Sequence, residues 1–228
     1  MGFKILLLIG LSCITQISSY QFHFACQELS ADIIQRMSYT WRDDSPVPCK
    51  DLCYIQLSHF DFNGEVQQGE LIVHRLAVDD IEFIFEQLFI ATFPLTSMKF
   101  IDEFEGSDDA SMKANNTSAF YARKVAGKSY WSNHSYGLAI DINPLINPYC
   151  KGDFCCPEQG KVNLKNRSYS KAGMITSDSD IYDLFLSRGW EWGGECFYDY
   201  DGVIDLHHFQ KAIPGINKST NRLFFSSR

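Results

Sequence analysis

Two short segments concentrate residue types that can hold a cation and move a proton. Ser132-Asn133-His134-Ser135-Tyr136-Gly137-Leu138-Ala139-Ile140-Asp141 carries a histidine and a carboxylate, and Asp205-Leu206-His207-His208-Phe209 carries a carboxylate and two adjacent histidines. Zinc takes imidazole nitrogens and carboxylate oxygens at about 2 Å, and a catalytic site uses three such ligands while leaving a position for water. His134, Asp141 and one of His207 and His208 would form such a set. Asp205 would then be a spare carboxylate, free to accept a proton. Three of the six histidines fall in these segments, beside apolar, strand-like runs that would bury them, and buried polar groups need partners. Each residue taken singly has an ordinary alternative: a histidine near a glycine is commonly a loop residue, and an aspartate before Asn-Pro a turn residue. On a regular strand Asp205 and His207 would share a face, whereas Asp205 and His208 would not. The alternation by itself therefore favours His207 as the third ligand.

The elements that must position these groups are partly legible. Residues 54–62, the pair Asn63-Gly64 and the run Glu65 to His74 predict a hairpin with a two-residue type I′ turn. His59 and His74 then read as structural. A helix is predicted over about 80–93, capped by Asp79 with Glu82 completing a capping box, its apolar stripe formed by Ile81, Ile84, Phe85, Leu88 and Phe89. Pro94 ends it. A short strand is expected near Met98 to Phe104, a polar loop over 106–118 and a strand over Gly137 to Ile142. Residues 147–173 read as irregular. A second helix over about 178–188 carries Ile181, Leu184 and Phe185 and stops at Gly189. A last β-prone run covers 203–209. Strands and helices without βαβ alternation predict an α+β domain.

Composition narrows the class of function. The formal charge is −8, with no basic stripe, which argues against nucleic acid as a partner. Lys4, the apolar run Ile5 to Leu11 and Ser18-Ser19 read as a removable secretory signal over 1–19. That run is too short to span a bilayer, and no other stretch would make a stable membrane span. Cys13 raises a lipoprotein as the minor alternative. The signal contains one of the eight cysteines, and the remaining seven suit an oxidising compartment. Cys150, Cys155 and Cys156 crowd together without a C-x-x-C pair, so disulfides are expected there rather than structural zinc. The sequons at Asn115, Asn116, Asn133, Asn166 and Asn217 are read as chance matches.

The run Ser132-x-His134-x-x-Gly137-x-Ala139-x-Asp141 resembles the zinc signature of the D-alanyl-D-alanine carboxypeptidases (VanY-like enzymes). These are related to the D-Ala-D-Ala dipeptidases, the L-alanyl-D-glutamate endopeptidases and the hedgehog signalling domain. The resemblance extends through Asn115 to Phe120, Arg123, Asp141-Ile142-Asn143-Pro144, Asn147-Pro148-Tyr149, Gly189-Trp190-x-Trp192-Gly193-Gly194 and the final Asp205-x-x-His208-Phe209. It covers about 30–212. Carried over, it implies one zinc ion per chain held by His134, Asp141 and His208, the last chosen over His207 because Phe209 follows it. It implies Asp205 as general base, Arg123 as the cation beside the developing oxyanion, and Ser132 near the substrate. Trp190 and Trp192 could line a peptide cleft or pack inside the domain.

Three departures from the family pattern stand out: His207 in place of an apolar residue or proline, Tyr121-Ala122 before Arg123 where relatives often have a cysteine, and Cys196 in place of an aromatic residue. Cys196 could tie its loop to the cysteine-rich segment. The expectation is an exported, periplasmic or secreted, monomeric α+β peptidase with a mainly antiparallel sheet and flanking helices, hedgehog/DD-peptidase-like. Its domain would span 20–228 with a catalytic core at about 110–212, and it would cleave peptidoglycan stem peptides with a metal-activated water. The alternative is an inactive zinc-binding module of the same fold. Retention of Asp205 speaks for the enzyme.

Overall fold

The computed structural model describes residues 20–165, 167–197 and 202–212. The signal segment 1–19 and the sequons at Asn166 and Asn217 lie outside the described residues. In chain order the elements are β1 (Phe24–Glu28), α1 (Ala31–Arg36), β2 (Leu52–Phe60), β3 (Val66–His74), α2 (Val78–Ile90), β4 (Ser97–Met98), α3 (Asp108–Lys113), β5 (Asn116–Thr117), β6 (Ala139–Asp141), β7 (Tyr149–Lys151), β8 (Phe154–Cys156), α4 (Asp180–Ser187), β9 (Trp190–Trp192), α5 (Gly193–Cys196), β10 (Val203–Asp205) and β11 (His208–Lys211). Three antiparallel sheets, β1-β2-β3, β6-β11-β9 and β10-β7-β8, together with a parallel β4-β5 pair, make the architecture α+β.

The predicted hairpin is β2-β3, but its loop is longer than a two-residue turn. Phe60 pairs with Val66, Gly64 N–H donates to Asp61 O, and Asp61 N–H donates to Glu65 O. Gly64 adopts φ +79°, as a type I turn closed by a left-handed glycine bulge requires. The Asp61 carboxylate accepts from the backbone N–H groups of Asn63 and Glu65 and fixes the loop.

Helix α2 has the apolar stripe expected of it: Ile81, Ile84, Phe85, Leu88 and Phe89 are buried against β2 and α4. Its start differs from the capping-box expectation. The helix begins at Val78 without a side-chain cap, after a 3-10 turn whose cap is His74 Nδ1, accepting from Leu76 N–H. Helix α4 is slightly shorter than the expected span, ending at Ser187 with Arg188 as its cap, and the left-handed Gly189 (φ +76°) follows. The strand expected near Met98 to Phe104 is only the two residues of β4, followed by a 3-10 turn over Ile101–Phe104. The loop expected at 106–118 holds α3, capped by Ser107, and β5. The segment read as irregular contains the β7-β8 hairpin and a 3-10 stretch over Glu158–Leu164.

Among the described residues one disulfide is formed, Cys150–Cys155, joining directly opposed positions of β7 and β8. Cys26, Cys49, Cys53, Cys156 and Cys196 are free. Cys196 therefore does not tie its loop to the cysteine-rich segment. No helix among the described residues is long and apolar enough to cross a membrane.

Asp80 joins the helical layer to the sheet that carries the second histidine cluster. Its carboxylate is buried on α2 and accepts from Arg188 Nε (3.0 Å), Trp190 Nε1 (3.1 Å) and Lys211 Nζ. Removing it would strand three donors, two of them charged and partly exposed. Asp80→Ala is expected to lower stability by about 2–3 kcal/mol, read as a lower urea midpoint at unchanged slope.

Candidate metal centre

The first cluster is shaped by a 3-10 turn over Asn133–Tyr136, capped by Ser132, whose hydroxyl accepts from His134 N–H. Gly137 ends the turn at φ +66°. A Cβ there would lie 2.5 Å from His74 N and 2.9 Å from the Val73 carbonyl carbon. Only glycine lets the chain take this left-handed step so close to the end of β3, where His74 N–H donates to Gly137 O. The chain then enters β6, and Asp141 follows at its end.

The second cluster does not form one regular strand. Strand β10 ends at Asp205 in the sheet with β7, and β11 begins at His208 in the sheet with β6 and β9. Leu206 and His207 form the bend between them. It is held by Leu206 N–H to Pro148 O, Ile142 N–H to His207 O, and His207 Nδ1 against Asn147 O at 2.8 Å. The alternation argument for His207 fails because the alternation is broken there. On β11 the alternation resumes: Phe209 is fully buried and stacks on Phe185 of α4 at 3.9 Å, which turns His208 and Gln210 toward the opposite face.

The β6–β11 register sets His208 directly opposite Asp141. His208 Nδ1 lies 2.9 Å from Asp141 Oδ1, His134 Nε2 lies 3.2 Å from Asp141 Oδ2, and the two imidazole nitrogens are 3.2 Å apart. All three residues are buried and could hold a metal ion together. The remaining ring nitrogens are engaged by acceptors: His134 Nδ1 faces Ala119 O at 2.5 Å, and His208 Nε2 faces Gln210 Oε1 at 3.3 Å. With a metal bound, each neutral ring would donate at that nitrogen and leave the lone pairs of His134 Nε2 and His208 Nδ1 to the metal. Buried lone pairs facing one another need a cation between them. Tetrahedral zinc with bonds of about 2.0–2.1 Å has ligand–ligand edges of about 3.3 Å, close to the separations observed. The donor set fits zinc.

His207 belongs to the next layer. Its Nε2 is 2.9 Å from Asp205 Oδ1 and 3.8 Å from Asp141 Oδ2. The contact with Asp205 is a close, buried ion pair. Burial disfavours charge on His207, but Asp205 and Asp141 outweigh it and hold the imidazole up to about 10. Burial likewise opposes the charge of Asp141, yet His134, His207 and His208 hold its carboxyl well below the usual carboxylate range.

The other expected site residues are placed differently. Arg123 pairs with Asp108 at 2.9 Å. Ser132 is buried and spends its hydroxyl on the His134 turn. Trp190 and Trp192 are buried, donating to Asp80 and to Leu206 O and packing edge-on against Phe185 and Tyr182. They are interior supports of β9, not cleft walls. Sequence reasoning missed Ala119, Asn147 and Gln210 as groups that orient the histidines. Two of the three act through backbone carbonyls, which leave no side-chain signal, whereas Gln210 follows from its position two residues after His208. Asn115 and Asn116 are buried and hydrogen-bonded through their amides.

Because His207 is raised in the fold, its contribution to stability is complete below its ordinary value of 6.5 and is lost as pH climbs through about 10. Metal-stripped protein is expected to melt at progressively lower temperature across that window. His207→Asn should flatten the dependence.

Residues 126–211 match the family model described as D-alanyl-D-alanine carboxypeptidase. The match spans both clusters and begins just after Arg123. No curated protein and no solved structure matches the chain. Over these residues the chain is similar to the D-alanyl-D-alanine carboxypeptidases, and the match supports a peptidase of that type.

Proposed function

We propose that this peptidase is zinc-dependent, is exported, and hydrolyses peptidoglycan stem peptides at a D-Ala-D-Ala or an L-Ala-D-Glu bond. The observation that carries the reading is the convergence of His134 Nε2, His208 Nδ1 and the Asp141 carboxylate, with both other ring nitrogens committed to acceptors. When bound there, zinc supplies Lewis acidity that polarises a peptide carbonyl and acidifies water.

The chain's own groups account for the proton and the charge. Asp205 supplies a half-buried carboxylate, the group that takes a proton from the attacking water and returns it to the departing amine. His207 lies between Asp205 and Asp141, its Nε2 2.9 Å from Asp205 Oδ1 and 3.8 Å from Asp141 Oδ2. Arg123 carries the cation for the substrate carbonyl oxygen, a role that requires its guanidinium to leave Asp108. Ser132 contributes by fixing the turn that aims His134. The Cys150–Cys155 bridge supports export, because such bonds persist in oxidising compartments.

Elemental analysis of the purified protein is expected to give one zinc per chain. Asp205→Ala should retain the metal and lose about 10²- to 10⁴-fold in hydrolysis of a D-Ala-D-Ala-terminated or an L-Ala-D-Glu stem peptide. Stoichiometric zinc without cleavage of either peptide would leave a zinc-binding module in place of an enzyme. Protein that takes up no zinc would defeat the proposal.

A further inference from the structure

Beyond the ligands, one side chain touches a ligating histidine and is itself held from two sides. Gln210 lies two residues after His208 on β11, on the same face, and is buried. Its Oε1 accepts from Asn133 Nδ2 at 2.6 Å and faces His208 Nε2 at 3.3 Å. Its Nε2 donates to Glu191 Oε2 at 3.3 Å. Glu191 sits directly opposite Gln210 in the β9–β11 register and is half-buried. An amide can present either its oxygen or its nitrogen, and the choice matters here. An ionised carboxylate only accepts, so Glu191 fixes the NH₂ end of Gln210 toward β9. The oxygen is thereby committed to His208, which must donate from Nε2 and keep its lone pair on Nδ1, the atom that faces Asp141 and His134.

We propose that Glu191 and Gln210 form a two-residue orientation lock, reaching across β9 and β11, that sets the tautomer of His208 and so the affinity of the centre for its metal. Asn133 reinforces the lock from the turn that carries His134, so one amide oxygen is shared between the segments that bring the two histidine ligands. Gln210 and Glu191 are positioning residues. They act through His208 and touch neither substrate nor the reacting atoms. Outer partners of ligating histidines fix ring orientation and tautomer, and their loss commonly costs about 10- to 100-fold in metal affinity. The inference rests on the proposed zinc centre and extends it to the groups that set its strength.

The test is zinc affinity measured by chelator competition on the full chain, with circular dichroism confirming that each variant is folded. Gln210→Ala is expected to weaken zinc about 10- to 100-fold. Glu191→Gln should weaken it by a smaller factor, because a glutamine there lets the Gln210 amide turn over. Adding Glu191→Gln to Gln210→Ala should cost nothing further, since the lock is already open. The decisive variant is the exchange Gln210→Glu with Glu191→Gln. It restores an acceptor to His208 Nε2 and a donor opposite it, and zinc affinity should return to near the parent value. A merely structural pair would not be rescued this way. Parent protein that binds zinc while every variant binds it equally well would overturn the lock alone. Loss in Gln210→Ala without rescue in the exchange would also overturn it. Parent protein that binds no zinc would overturn the metal centre and the lock with it.

Discussion

The register between β6 and β11 is the constraint on which everything else depends. It places one imidazole across from one carboxylate, and the 3-10 turn before β6 adds the second imidazole. A buried carboxylate beside two lone pairs is electrostatically unstable unless a cation sits among them. The rest of the domain keeps that arrangement from relaxing. Phe209 anchors β11 against α4, while Asp80 gathers Arg188, Trp190 and Lys211. Gly137 allows the turn to press against the end of β3. Each removes a direction in which the centre could open.

A second layer of support comes from backbone and amide groups around the Asn-Pro segments. Asn147 donates from its side-chain amide to Ile142 O, Asn143 O and Gly173 O and accepts from Ile175 N–H and Arg167. Its own carbonyl holds His207. Asn143 takes a left-handed backbone at φ +46° and bonds to Pro94 O and Gly173 O. These side chains act as substitutes for regular strand pairing. Through them the loop after Asp141 and the bend before His208 are fixed to the same scaffold.

The parts of this architecture that follow from periodicity were legible in the sequence. The stripe on α2, the shorter stripe on α4 and the β2-β3 pairing each need only local alternation of apolar residues. His134, His208 and Asp141 were legible as candidate ligands from residue type and motif spacing. What was not legible depends on where the chain bends. The run 203–209 is uniformly β-prone, and nothing in it announces that Leu206 and His207 carry the chain from one sheet to another. The break comes from long-range partners, Pro148 and Asn147 among them. Trp190 and Trp192 illustrate the same limit from the other side, because an aromatic pair near a glycine run reads equally well as a cleft wall or as core. Asp80, distant in sequence, decides the matter for Trp190, and the Leu206 carbonyl for Trp192.

The position of His208 near the end of the described chain has a consequence for the order in which the molecule matures. The first ligand, His134, and the last, His208, are separated by 74 residues, and β11 is the central strand between β6 and β9. Contacts between distant segments form late, because the closure entropy of the intervening chain is lost before they repay it. Until β11 inserts, the sheet is open and His134 and Asp141 stand without His208. Metal capture at the proposed centre would thus report that folding has finished. An ion that binds only the completed site withdraws folded molecules from the unfolding equilibrium, so a metal bound there would most strongly oppose the departure of the last strand to dock.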